Sequence, residues 1–372
     1  AGQGGRGGAL PPVPGDARRE GRVAHLQGDH DQDHDHEPAD AEVTGPRTEA
    51  EVLEAARDAV KHALKAGADL AEAYVLSSHG VDVGFEKSDV LSSSAEDETS
   101  LGLRIFKGSR LGFAATNIMN ADGLDEAARE ALALAVPGVA DPHNILPGPR
   151  ALDGTPNLWS DAVAELTVGE VTERGSAWLA QALALDPRLG VDSGSFQAGA
   201  ASWALANSLG VERSCRGASA SGVLFGMAKD EGHVGSFAYE YFMLRELKQL
   251  DEKMTEAAAL FAKKALGALG ARRGEAFRGP AILDPEVVFE ILVQPLLYGM
   301  DASAVRKGRS RLAGALGRSV ASELLTLEDL GGDPRGASAS PFDREGVPRS
   351  PRTLVEKGIL ATFLYNAYEA SW

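Results

Sequence analysis

From residue 191 to residue 244 the sequence reads VDSGSFQAGAASWALANSLGVERSCRGASASGVLFGMAKDEGHVGSFAYEYFML, with small, polar and apolar residues alternating almost without a break. Alternation of period two sends successive side chains to opposite faces of a strand. Glycine, alanine and serine at this density let neighbouring backbones approach closely. The run predicts closely paired antiparallel strands, with turns at 207–210 and 230–232, where Asn, Asp, Ser and Gly cluster. A chain that carries such a run is committed to a large antiparallel sheet.

The flanking segments supply helices and further strands. Thr48 and Glu51 have the spacing of a capping box. Val52, Leu53, Ala56, Val60, Ala63 and Leu64 then recur at helical spacing, and Gly67 is placed to end the helix. AEAYVLSS, VDVGFEKS and LGLRIFKGSRLGFAATN alternate as strands, with Leu101, Leu103 and Ile105 on one face and a tight turn at KGSR, 107–110. Residues 122–136 predict a second amphipathic helix with an acidic start. These elements predict an N-terminal α+β domain over 48–145, and the Pro- and Gly-containing stretch PGVADPHNILPGPRALDGTP marks a boundary. The second domain, 146–372, is expected to be mostly antiparallel β with helices at 168–184, 251–268 and 285–299. The last of these opens on Pro285, and AFRGPAILD before it predicts a buried strand. The expected class is therefore α+β in two domains. The chain stops at Trp372 inside what reads as a structured segment, so the second domain is expected to be truncated at its end.

Residues 1–47 are rich in Gly, Pro and charge and predict a disordered tail. Within it, HLQGDHDQDHDHEPAD places His25, His30, His34 and His36 among Asp29, Asp31, Asp33 and Asp35. Imidazole and carboxylate both ligate divalent ions, so this is either a metal-capturing tract or a solvated tail that binds metal incidentally. The 37 basic and 54 acidic residues leave a net charge of −17. That field repels phosphate backbones and suits cationic peptides or basic surfaces, which argues against nucleic acid as a partner. No window reaches the ~18 uninterrupted apolar residues of a spanning helix, so no membrane partner is expected. The single Cys215 rules out an internal disulfide and fits a reducing cytoplasm.

Familiar catalytic signatures are missing from the sequence. Within the folded part, His62, His79, His143 and His233 are scattered, with no HExxH, HxH or HxxxH pair to build a hydrolytic zinc site. His62 is expected to face solvent and His233 to sit in a turn. There is no GxSxG elbow, no GxGxxG opening a helix after a strand and no GxxxxGK[ST]. Cys215 lies between Arg213 and Arg216, which is compatible with an activated thiol or with a small packing residue. The most distinctive segment is ASPFDREGVPRSPRTLVEKGILATFLYNAYEA. There Ser340, Phe342, Asp343 and Glu345 set two carboxylates between rigid turn residues. Those carboxylates either receive the amino end or a basic side chain of a peptide, or cap a structural turn.

SPFDREGVP followed by RTLVEKGIL is similar to the late motif of the TldD/PmbA (modulator of DNA gyrase) metallopeptidase family. ANSLGVE (206–212) resembles the family's NS-x-G segment, and ETSLGLRIFKGSRLGFAATN its amino-domain hairpin. GPAILDPE and RKGRSRLAGALG (306–317) resemble the region around its metal helix. The resemblance covers about Glu51 to Trp372, and family chains continue past that point through a Gly-rich region. It implies a cytoplasmic complex of two sister subunits that trims unfolded or modified peptides. In the catalytic TldD type a helix before Arg-Lys-Gly carries HExxxH. Counted back from Arg306, Lys307 and Gly308, those positions hold Val293, Gln294 and Tyr298, and 280–310 has no histidine. The resemblance is therefore to the PmbA/TldE-type subunit, with no catalytic and no metal-ligating residue of its own. Zinc is expected in a TldD-like partner, and Ser340, Phe342, Asp343 and Glu345 are the expected peptide or partner contacts. Two other readings stay open: a stand-alone peptide-binding or scaffold protein, and an autonomous metallopeptidase that uses Asp343, Glu345 and a tail histidine.

Overall fold

A computed structural model describes residues 45–152, 154–336 and 338–372. The Asp/His-rich tract, and all but the last three residues of the expected tail, lie outside the described residues.

Helix α1 (Glu49–Ala66) begins at Thr48 with the capping box complete: Thr48 Oγ1 accepts from Glu51 N, and Glu51 Oε2 accepts from Thr48 N at 2.7 Å. It ends at Gly67, whose φ of +109° only glycine adopts without strain. The chain then forms β1 (Leu70–Glu86), β2 (Asp89–Lys107) and β3 (Arg110–Thr116). Gly108 and Ser109 both have positive φ, as the tight β2–β3 turn requires. After α2 (Ala121–Ala135), the short α3 (Asp161–Ala164) and α4 (Val168–Ala184) come β4 (Leu189–Asn207) and β5 (Glu212–Asp230). The small β6 (His233–Val234), β7 (Ala238–Leu244) and helix α5 (Leu250–Gly267) complete this part.

These strands make one seven-stranded antiparallel sheet, in the order β3-β2-β1-β4-β5-β6, with β7 also on β5. AEAYVLSS and VDVGFEKS, expected as two strands, are one 17-residue strand that pairs with β4 without a break and with β2 through one register shift at Gly84/Phe85. The break between the two expected strands does not occur. The polar groups at this point reach across the ladder instead of turning the chain, Ser77 Oγ to Thr99 Oγ1 and His79 Nδ1 to Asp97 Oδ1. β1 and β4, from opposite sides of the expected boundary near 145, are ladder neighbours from Glu72↔Asn207 to Glu86↔Ser193. The α+β class holds, and a single sheet serves both halves.

Helices cover one face of this sheet. Helices α1 and α2 pack on Ala71, Ala73, Val75, Leu101 and Leu103, forming one core. Helices α4 and α5 pack on Val81, Val83, Phe85, Phe196 and Leu224, where Trp178 and Phe261 are fully buried. The Trp178 indole N–H donates to Met254 O at 2.7 Å, which ties α4 to α5.

The remaining chain is more loosely built. AFRGPAILD is exposed coil and pairs with no strand among the described residues, so the expected buried strand is absent. An apolar run alone supplies no ladder partner, and β structure needs one. Next, α6 (Pro285–Val288), a π-helical turn at Phe289–Val293 and α7 (Gln294–Met300) form one continuous helix. Helix α8 (Ala302–Arg306) leads to a small sheet of β8 (Leu327–Asp329), β9 (Arg352–Glu356) and β10 (Ile359–Leu360). Met300, Leu354, Val355, Leu360 and Phe363 form its core, and α9 (Ala367–Ala370) follows. Among the described residues no helix is long and apolar enough to cross a membrane.

Candidate functional site

The face of the large sheet away from its helices carries the candidate site. Alternation puts Glu72, Tyr74, Leu76, Ser78, Gly80 and Asp82 of β1 on that face, opposite the residues that enter the two cores. The loop at 339–348 lies against one end of it.

Three of the four sequence-predicted residues hold this loop in shape. Ser340 Oγ donates to Phe342 O at 2.7 Å. Phe342 is 2% exposed and packs with Leu158, Cys215 and Ala339. Asp343 Oδ1 accepts from Glu345 N at 2.8 Å and Val347 N at 3.0 Å, as a turn-capping carboxylate does. Gly346 turns the chain at φ +73°, and a Cβ there would lie 2.6 Å from Val211 Cγ1. Only Glu345 reaches out. Its Oε2 accepts from Ala367 N at 2.7 Å, and its Oε1 lies 3.3 Å from Arg104 Nη2.

The same guanidinium meets a second carboxylate, Glu72, at 2.8 Å. Glu72 is 5% exposed, and its Oε2 has no hydrogen-bond partner among the described protein atoms. Burial pushes its carboxyl up to about 7; Arg104 opposes the shift and Glu345 adds to it. Arg344 stacks 4.6 Å above the Tyr74 ring beside this cluster. These groups line a cavity of about 420 Å³. Sequence reasoning found Glu345 but missed Glu72, Arg104, Tyr74 and Arg344. The available signal was a glutamate at an interior position of a strand whose neighbours Ala71 and Ala73 face the core.

Farther along the same face runs a groove of about 570 Å³. Its floor is small: Ser78, Gly80, Gly199, Ala201, Ser219 and Ser221. A Cβ at Gly199 would stand 2.8 Å from His79 O, so the strands close up there only around glycine. Asp82 and Glu96 stand at its side. At residues 89–100, β2 pairs with β1 alone, because β3 pairs only with 101–107. That leaves an open backbone edge, with Glu96 and Glu98 on the groove face beside Gly80 and Ser78. A narrow floor, walls carrying Asp82, Glu96 and Arg245, and a free edge suit an extended polypeptide backbone.

Other sequence candidates resolve differently. Cys215 is 2% exposed, and burial pushes its thiol up to about 11. Arg213 donates to Gly346 O, while Arg216 stacks on Trp159, so neither activates it. His62 does not face open solvent as expected. It is half-buried, and its Nδ1 lies 2.6 Å from Asp125 Oδ1 on α2. His143 stacks on Trp372 at 3.7 Å, and His233 is exposed just after the 231–232 turn. Val293, Gln294 and Tyr298 lie on the π-turn and α7 and offer neither imidazole nor carboxylate, so they do not fit a zinc ion. Among the described residues no three His, Cys, Asp or Glu side chains gather as a metal set.

Two family models match the chain. Residues 71–135 match the PmbA/TldA metallopeptidase domain 1, and residues 277–372 match the PmbA/TldA metallopeptidase C-terminal domain. A metalloprotease PmbA homolog of Haemophilus influenzae is 27% identical over 330 residues, covering 86% of this chain and 70% of that protein. The metalloprotease PmbA of Escherichia coli O157:H7 is 24% identical over 339 residues, covering 88% and 73%. The fold is similar to that of TldE from Thermococcus kodakarensis, with a TM-score of 0.70 at 20% identity over 85% of this chain and 71% of that one. It is also similar to that of a putative modulator of DNA gyrase from Bacteroides thetaiotaomicron, with a TM-score of 0.77 at 23% identity over 85% and 72%.

Proposed function

The chain belongs to the PmbA/TldD metallopeptidase family, and from that premise we propose that it is a PmbA/TldE-type, non-catalytic subunit of a two-component cytoplasmic zinc peptidase. Its part is to hold unfolded or modified peptide in the groove on the open sheet face. A TldD-like partner supplies the metal and the hydrolytic step.

The observation that carries this reading is the pairing of Glu72 and Glu345 around one arginine at the end of a glycine- and serine-floored groove. Glu72 Oε2 has no hydrogen-bond partner among the described protein atoms, which leaves one polar anchor point at the groove's end for a peptide group. The groove favours an extended chain whose amino terminus or Lys/Arg side chain reaches that end. Ser219 and Ser221 have no histidine base beside them; Ser221 Oγ accepts from Gln197 Nε2 at 3.0 Å. The groove therefore binds and orients peptide and offers no nucleophile.

The test is peptidase activity on unfolded casein, for the chain alone and mixed with a TldD-type protein, with and without a zinc chelator. Activity only in the mixture, abolished by chelator, is the expected result. Chelator-sensitive activity from the chain alone would overturn the assignment. A mixture with no activity and no co-purifying complex would leave a stand-alone peptide-binding protein as the better account.

A further inference from the structure

The helix-bearing face of the sheet is interrupted by a polar seam. Along β1, Ala71, Ala73 and Val75 enter one core and Val81, Val83 and Phe85 the other. Ser77 and His79 lie between them on the same face. Ser77 Oγ is satisfied, with Thr99 Oγ1 at 3.0 Å and Arg47 N donating at 3.1 Å. His79 is satisfied on one side only. Its Nδ1 lies 2.8 Å from Asp97 Oδ1 on β2, and an ionised carboxylate only accepts, so Nδ1 carries the hydrogen. In the uncharged tautomer with hydrogen on Nδ1, the lone pair is at Nε2. The side chain is 6% exposed, and Nε2 has no hydrogen-bond partner among the described protein atoms.

His79 faces a cavity of about 750 Å³ bounded by the N-terminal ends of α1 and α4. Val81, Ala95, Trp159, Leu166 and Val168 make its walls largely apolar. The charged groups around it balance. Arg216 stacks 4.4 Å from the Trp159 ring and lies 3.7 Å from Glu49. Arg47 and Glu165 face it from exposed positions, and Asp97 is engaged by His79. Both helix ends are closed by their own Thr–Glu capping boxes, so they do not form an anion site. Largely apolar walls, balanced charge and one buried acceptor define the ligand chemistry.

We propose that this cavity binds a neutral small molecule with an aromatic or aliphatic body and a single O–H or N–H that donates to His79 Nε2. Asp97 is the positioning residue that fixes the ring and its tautomer. The site is on the opposite face of the sheet from the peptide groove and does not depend on the function proposed for it.

The test is an NMR titration of the full chain with 4-ethylphenol and with ethylbenzene, which differ only in the hydroxyl donor, following the His79 ring signals. The phenol is expected to bind at least about tenfold more tightly, as one buried hydrogen bond warrants, and to shift the Nε2 resonance. His79→Phe is expected to bring the two ligands within about twofold of each other. Ala95→Trp, on an exposed strand position in the cavity wall, narrows the cavity and is expected to weaken both. Equal affinities in the unmodified chain, an unmoved Nε2 signal, or binding indifferent to Ala95→Trp would each overturn the proposal. These three readings do not depend on whether His79→Phe folds.

Discussion

Glu72 and Glu345, 273 positions apart in sequence, share the guanidinium of Arg104, at 2.8 and 3.3 Å. The contact joins the first long strand to the late loop and sets the charge at the groove's end.

Its first consequence is a pH dependence of stability. Glu72 titrates near an ordinary 4.5 when unfolded and at about 7 when folded, because burial disfavours its charged form. Below about pH 4.5 both states hold the proton and Glu72 contributes no slope. Between about 4.5 and 7 only the folded state holds it, so stability falls as pH rises through this window. Glu72→Gln removes that slope. The variant is expected to gain roughly 2–3 kcal/mol over the parent above pH 7 and to match it near pH 4. Urea midpoints measured across this range decide it; a parent-like slope in the variant would exclude Glu72 as its source.

Gly80 allows the peptide binding proposed for this face to be tested apart from folding. Nothing lies within 4 Å of a Cβ built there, and its φ is not positive. Gly80→Phe therefore projects a ring into the groove from a Cβ that meets no neighbour, and phenylalanine suits a strand. Thermal stability is expected to hold while affinity for a cationic, unfolded peptide drops by roughly tenfold or more, about 1.4 kcal/mol. Unchanged affinity, read by fluorescence anisotropy, would move the peptide off this face.

The loop residues are expected to act mainly on stability. Phe342→Ala empties a buried site and is expected to cost about 3–5 kcal/mol. Asp343→Ala leaves the amides of Glu345 and Val347 without their acceptor and is expected to cost roughly 1–3 kcal/mol. Denaturant unfolding measures both. A variant at either position that binds peptide weakly but unfolds like the parent would assign that residue to the ligand instead.

Cys215 is expected to resist alkylation. With its thiol pushed up to about 11 and its side chain among Leu158 and Phe342, iodoacetamide at pH 8 should modify it only after denaturant is added. Rapid modification of the native chain, followed by mass spectrometry, would show that the cluster opens.

Much of the scaffold was legible because period and punctuation are local. Residues 168–184 bound α4, and KGSR marks the β2–β3 turn. Other features depend on distant contacts and left no local trace. SSHG spans the break between two expected strands but lies inside β1, because its polar groups meet Thr99, Arg47 and Asp97 on other elements. AFRGPAILD reads as a strand from its apolar run, but composition cannot announce the absence of a pairing neighbour. In the site, Glu345 stood out through its turn motif, whereas Glu72 looked like an ordinary outward residue of an alternating strand. Its burial comes from Arg104 and a loop more than two hundred residues away.

Strands β1 and β4 each run through both hydrophobic cores, supplying Ala71, Ala73, Val75, Ala204 and Ala206 to one and Val81, Val83, Phe85, Phe196 and Ala198 to the other. Each core also has an outer strand pair of its own, β2–β3 or β5–β7, but both pairs are seated on β1 and β4. Opening one strips the ladder from the second, so the two halves unfold as a single cooperative unit. The central amides of β1 and β4 then exchange with solvent only through global opening, in step with one another.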